Sequence, residues 1–224
     1  MAEQKKNQTA PSMEESLNQS EAFFLKYKNA IIGCVAAIVI IICGAVWYNS
    51  YSSEKQEEAS TAMAKAQENF MNQNYEVALN GDSTGVAGFL KIAADYSSTD
   101  AGNLANLYAG LCYANLDNWE EAAKLLEKFD GAGDAMISPA ALGALGNAYA
   151  HLNQLDKAVS TLVKAANEAD NNSLSPSFLI QAGQILESQG KKAEALKLYM
   201  EIKEKYFQSM QYQTIDEYIE RAKE

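Results

Sequence analysis

Histidine, cysteine and paired carboxylates are the side chains that most often do chemistry, and this chain uses them sparingly. Of its 224 residues one is a histidine, His151, and three are cysteines, Cys34, Cys43 and Cys112. A single imidazole can serve as a general base, but it cannot build a histidine metal site. His-Glu-x-x-His, Cys-x-x-Cys and the P-loop pattern are missing from the sequence, while Gly81-Asp82-Ser83-Thr84-Gly85 has the letters of Gly-x-Ser-x-Gly inside a stretch that reads as a loop between helical segments. Cys34 and Cys43 fall inside a long apolar run and Cys112 on the apolar face of a predicted helix, so all three read as small packed hydrophobes without a disulfide framework. Asp82-x-x-Gly85 has a carboxylate beside a glycine, as metal and phosphate loops do, yet it reads as a turn between helical segments. No catalytic residue, no metal site, no cofactor and no enzyme activity are expected. Binding is left as the function to look for.

The elements that would position a binding surface begin with an uncharged run from Asn29 to Ser53. Its apolar centre, Ala30 to Tyr48, would cover roughly 30 Å as a helix, about one bilayer hydrocarbon core. The run is longer than the apolar region of a secretory signal and ends in bulky Trp47-Tyr48-Asn49, so a cleaved signal is not expected. Ile31-Ile32-Gly33-Cys34 matches a lipid-attachment box, but there the apolar segment precedes the cysteine, whereas here it follows. Lys26 and Lys28 lie just before the run, with Lys5 and Lys6 further out, while Lys55 beyond it is surrounded by Glu54, Glu57 and Glu58. That bias places the N-terminus in the cytoplasm. Tyr27, Trp47, Tyr48 and Tyr51 suit the two interfaces, and Gly33 with Ala37 makes a small-x-x-x-small pair where another helix could approach.

Residues 1–48 carry four basic and four acidic groups, leaving 14 of the 18 Lys+Arg and 25 of the 29 Asp+Glu downstream, so the outer part holds the whole net charge of −11. Such a surface repels nucleic acid and anionic lipid headgroups, and small-molecule chemistry has no motif to support it. Protein partners remain. The outer part is rich in Ala, Leu, Glu, Lys and Gln, a composition that favours helix throughout.

Those helices repeat. Ala109-Gly110-Leu111-Cys112-Tyr113, Leu145-Gly146-Asn147-Ala148-Tyr149 and Ala182-Gly183-Gln184-Ile185-Leu186 are each followed by a polar turn and then by Ala122, Ala158 and Ala195, twelve residues after the glycine in each case. An incomplete copy precedes them, with its turn at Met71 to Asn74 and Ala78 following, after which Gly81 to Gly85 interrupts a helix that resumes over Val86 to Tyr96. At the far end Ile215, Tyr218 and Ile219 stand at helical spacing, with Arg221 and Lys223 in the last turn, which reads as a capping helix. Ser138-Pro139 and Ser175-Pro176 place proline in the first turn of two helices, where its missing N–H costs little.

These residues resemble the tetratricopeptide repeat (TPR) family, whose signature is a Leu-Gly pair, an aromatic three residues after the Gly, an Ala twelve after it and a large apolar residue four further on. Leu145, Gly146, Tyr149, Ala158 and Leu162 follow it, with Ala165 in the last small slot. Gly110, Tyr113, Ala122 and Leu126 follow it with Ala109 in place of the Leu and Phe129 where a small residue is usual. Gly183, Ala195 and Tyr199 follow it with Leu186 replacing the aromatic. The resemblance implies an all-α fold: a single N-terminal transmembrane helix, then a TPR-type α-solenoid of about three and a half helix-hairpin repeats and a C-terminal capping helix. The expected domains are a short cytoplasmic tail over 1–28, a transmembrane helix over 29–51 and a periplasmic TPR domain over 52–224. Within that domain the degenerate repeat covers about 55–99, the three repeats about 102–133, 138–170 and 175–208, and the capping helix about 211–223.

The order of parts, together with the segment Gly88 to Gly110, is similar to the YfgM-type family of membrane-anchored TPR proteins, ancillary to the SecYEG translocon and working with the periplasmic chaperone PpiD. This resemblance implies a single-pass inner-membrane protein whose C-terminal domain is periplasmic and whose partners are SecYEG, a PpiD-like chaperone and exported polypeptides. It implies an adaptor or chaperone-like role in protein translocation. The phrase Ile92-Ala93-x-x-Tyr96-x-x-Thr99 also occurs in a Tol-Pal-associated TPR coordinator family, so a structural coordinator of envelope or division machinery stays open. In the usual TPR arrangement the residues one and five after the glycine face a concave groove. Here they are Leu111, Asn115, Asn147, His151, Gln184 and Ser188. Amides, a hydroxyl and an imidazole can satisfy peptide N–H and C=O groups with little charge preference. The cations that clamp a C-terminal carboxylate in some relatives are replaced by Gly143, Ser177 and Gln181.

Overall fold

Long runs of helix-forming residues without proline, broken by polar turns, leave the chain little choice but helix. The computed structural model describes residues 13–223, so Lys5, Lys6 and the first twelve residues of the expected cytoplasmic tail lie outside it. Ten α-helices follow in order: α1 (Met13–Met71), α2 (Tyr75–Asn80), α3 (Phe89–Asp95), α4 (Asp100–Asn115), α5 (Trp119–Lys128), α6 (Ile137–His151), α7 (Leu155–Ala169), α8 (Ser175–Ser188), α9 (Lys192–Lys205) and α10 (Ile215–Lys223). Among the described residues there is no strand, only an isolated bridge between Gly81 and Ala87.

The chain divides at Ser53 into two units. In the first, α1 carries the apolar run, and it is apolar and long enough to cross a membrane. Ile32, Ile38 to Ile42, Val46 and Trp47 are all exposed, and Trp47 stacks on Tyr51 with ring centroids 5.8 Å apart. The helix does not stop at residue 51. Gly44 is the last glycine before the Glu-, Ala- and Lys-rich stretch from Glu54 to Glu68, so nothing in the sequence breaks the hydrogen-bond ladder before Met71.

The second unit, Glu54–Glu224, is a series of helical hairpins. Gln73, Asp117, Asn153 and Gly190 end the first helix of successive hairpins, each in the left-handed backbone region. The N–H of the next residue donates back across the turn in the same way every time: Asn74 to Asn69 O, Asn118 to Tyr113 O, Gln154 to Tyr149 O and Lys191 to Leu186 O, at 2.8–2.9 Å. The glycines of the repeat then set the closeness of each hairpin. A Cβ on Gly110 would lie 2.8 Å from Leu126 Cγ, one on Gly146 2.7 Å from Leu162 Cγ, and one on Gly183 2.3 Å from the Tyr199 ring. Ala122, Ala158 and Ala195 are fully buried in the facing helices. The Tyr149 hydroxyl reaches back to the preceding hairpin and donates to Glu127 at 2.5 Å.

Buried side chains fall into three successive clusters, around Phe89 and Ile92, around Leu126 and Leu145, and around Leu162, Tyr199 and Ile215. Each hairpin thus packs on its neighbours, as stacked repeats must. In the first hairpin the second helix is split into α2 and α3. The sequence pattern resumes helix at Val86, but Val86 to Gly88 belong to the intervening loop. Asp82 N–H donates to Val86 O at 3.1 Å, the Asp82 carboxylate accepts from Val86 N–H at 3.0 Å, and a Cβ on Gly88 would meet the Gly81 backbone at 2.3 Å. At the other end a short 3₁₀ turn, Met210–Gln213, leads into α10. Arg221 of α10 forks onto the Glu187 carboxylate of α8 at 3.1 and 2.6 Å, and Lys203 of α9 pairs with Asp216.

Candidate functional site

The shared turn geometry puts Ala66, Gly110, Gly146 and Gly183 in one slot of the repeat, each seven residues before the left-handed residue. One residue after that slot stand Gln67, Leu111, Asn147 and Gln184, and five after it Met71, Asn115, His151 and Ser188. Equivalent slots on consecutive first helices lie on corresponding faces, because i and i+4 share one side of a helix. Those eight positions hold no charged residue. Gln67 and Met71 escaped the reading of the sequence, since the first copy has alanine instead of glycine in the marker slot. The signal that finds them is the turn at Gln73.

The six residues expected from the sequence differ in how free they are. Asn147 and Gln184 are exposed and bond to nothing else among the described residues. Asn115 is exposed, but its amide donates to Leu111 O at 2.8 Å, and the Ser188 hydroxyl donates to Ile185 O at 2.7 Å; each keeps an acceptor. Leu111 is half-buried against the middle core cluster. His151 lies flat on Trp119, the first residue of α5, with ring centroids 3.6 Å apart and planes 4° from parallel. The imidazole therefore joins two hairpins. No hydroxyl or carboxylate is hydrogen-bonded to it among the described residues, so the partner a general base would need is not supplied.

The slots held by Gly143, Ser177 and Gln181 are explained by packing. A Cβ on Gly143 would sit 2.3 Å from the Phe178 ring, and the Ser177 hydroxyl accepts from the Gln211 amide at 2.8 Å. The Gln181 side-chain amide oxygen is buried and has no hydrogen-bond partner among the described residues. Other groups with chemical potential are committed to structure. The Asp82 carboxylate accepts from the Thr84 hydroxyl, Val86 N–H and Thr84 N–H, bonds that hold its pKa below the ordinary carboxylate value and make Asp82-x-x-Gly85 a loop clasp. Burial pushes the Cys112 thiol up to about 12, so it stays protonated and unreactive at neutral pH. Among the described residues no group of three His, Cys, Asp or Glu is placed to hold a metal ion.

A family model for the tetratricopeptide repeat-like domain matches residues 21–216. Two crystal structures of kinesin-light-chain TPR-like repeats from Podosopora anserina, one with a Gln-to-Met substitution at its position 17, share the fold with a TM-score of 0.56. Each is 14% identical to this chain and covers 75% of it, the match spanning 85% and 86% of the two neighbours. No curated protein matches this chain in sequence.

Proposed function

We propose, from the premise that this chain belongs to the tetratricopeptide repeat-like domain family, that it is a membrane-tethered adaptor for exported polypeptides. The N-terminus faces the cytoplasm, α1 crosses the inner membrane and the repeats stand in the periplasm. In this reading the protein is a YfgM-type component that works beside SecYEG and a PpiD-like chaperone. The observation that carries it is the combination, in one chain, of an exposed apolar helix of membrane-spanning length and a run of uncharged first-helix slots on a domain of net charge −11. The free amides of Asn147 and Gln184, with Leu111, Asn115, His151 and Ser188 on the same turns, offer an extended backbone both donors and acceptors. Tethering would raise the effective concentration of cargo, so each contact can be weak.

The test is in-cell crosslinking from these slots followed by mass spectrometry. Changing Asn147, His151 and Gln184 together to Glu should cut the yield of exported chains and translocon components severalfold, while circular dichroism shows the fold kept. An unchanged yield from the folded variant would remove the slots from the binding surface. The coordinator reading rests on the phrase from Ile92 to Thr99, for which the fold has its own use: Thr99 accepts from Gly102 N–H at 3.0 Å and donates to Tyr96 O at 2.8 Å, starting α4. Recovery of cell-wall or Tol components in place of SecYEG would favour it.

A further inference from the structure

Among the three hairpins that carry the marker glycine, the one whose second helix ends early is the first, at the end of α5. Helices α7 and α9 run 15 and 14 residues, whereas α5 has 10. The slot that Ala165 and Ile202 fill inside α7 and α9 is here Phe129, whose backbone is already extended at φ −72°, ψ 115°. The chain leaves the helix there and crosses to α6 through residues 129–136. Asn103 of α4 pins this connection from beneath, donating to Gly131 O and accepting from Asp130 N–H, both at 2.9 Å, and Ala132 N–H donates to the Ser138 hydroxyl at 2.8 Å.

The early exit opens a cleft of about 470 Å³ between the 56–67 stretch of α1, the start of α4 and the connection, a size typical of ligand sites. Met63, Leu104 and Phe129 give it apolar walls, Ile137 is 43% exposed beside it, and Asp100 is the one charged residue among those lining it. Gln67, in the same slot as Asn147 and Gln184, also lines it and bonds to nothing else among the described residues. We propose that this cleft anchors one large apolar side chain of an extended polypeptide whose flanking residues are neutral or basic. The inference rests on the polypeptide-binding function proposed above and names the feature of the cargo that is recognised. The apolar walls take the side chain, the Gln67 amide bonds one peptide unit beside it, and Asp100 with the domain's net charge of −11 disfavours acidic flanks.

The experiment uses the full-length protein in detergent micelles and fluorescein-labelled eleven-residue peptides, read by anisotropy. The parent peptide is Gly-Ser-Lys-Ser-Gly-Phe-Gly-Ser-Lys-Ser-Gly; in one comparator the Phe is Ser, and in the other both Lys are Glu. The wild type should bind the parent at least tenfold more tightly than the Ser comparator, and more tightly than the Glu comparator by a margin that closes as salt rises. Ser60→Trp, at an exposed lining position, should abolish the Phe preference, whereas Ser60→Ala keeps it. If circular dichroism shows Ser60→Trp unfolded, Ala132→Trp on the opposite side takes its place. No Phe preference in the wild type, or a preference that survives a folded indole variant, overturns the proposal. If that surviving preference is lost in the Asn147→Glu, His151→Glu, Gln184→Glu variant, the anchor lies in the first-helix slots and the adaptor function stands. If no peptide binds while in-cell crosslinks to exported chains persist, the cleft is overturned and the adaptor function again stands; loss of both overturns both.

Discussion

Gln73, Asp117, Asn153 and Gly190 occupy one slot of the repeat, and three of the four place a Cβ in the left-handed region that L-residues adopt at a cost. Asparagine and aspartate tolerate it best, glutamine less well. Gln73→Gly should therefore raise stability by about 0.5–1 kcal/mol, and Asn153→Gly by less. Thermal melts followed by circular dichroism compare the two, and a melting temperature for Gln73→Gly at or below that of Asn153→Gly would contradict the turn geometry. The same scale explains His151. Its lone occurrence promised at most one general base, and the flat stack on Trp119 uses it as packing between hairpins.

At the scale of elements, the hairpins close because a glycine on one helix receives a large side chain from the other while a buried alanine keeps the backbones near. Ala158 is fully buried and its carbonyl would lie 3.4 Å from a Cβ on Gly146. Ala158→Leu should cost about 1–3 kcal/mol by overpacking, and Leu145→Ala about 2–5 kcal/mol through the cavity left in the middle cluster. Denaturant titrations check both, and unchanged midpoints would refute the register. The end of the array depends on charge. Hydrogen bonds from Arg221 hold the Glu187 carboxyl below its ordinary value. A carboxylate with a depressed folded pKa adds stability above its ordinary pKa and loses it as pH falls through the folded value. Arg221→Ala should thus destabilise by about 1 kcal/mol at pH 7, kept modest by the half-exposed guanidinium. In acid below the carboxylate range the variant and the wild type should converge. A difference that persists at pH 2 would mean that packing of Arg221 over Tyr218, at 4.9 Å, carries the effect instead.

At the scale of the whole molecule, two units with opposite demands share one chain. The first exposes isoleucines that water disfavours, and the second carries all the net charge. The expectation is that the protein stays in the membrane fraction through alkaline carbonate washing, and that a reporter fused after Glu224 is active outside the cytoplasm. Fractionation and reporter assays test this, and a soluble, N-terminally shortened product would show cleavage.

The apolar run, the helical character and the repeat register were legible in the sequence because each is set by local rules. Twenty-odd uncharged residues speak for themselves, and Gly110, Gly146 and Gly183 with their alanines mark every place where two backbones must approach. Tertiary structure alone decided the rest. Val86 to Gly88 joined a loop because Asp82 and Gly81 capture them across it. Gln67 and Met71 joined the row of first-helix slots because the turn at Gln73, not a marker glycine, places them. Trp119 claimed His151 from 32 positions away in the chain, and the cleft at Phe129 exists because α4 pins a connection that pattern reading would have continued as helix. Contacts between residues distant in sequence leave no trace in local spacing, and those contacts determined where the free surface lies.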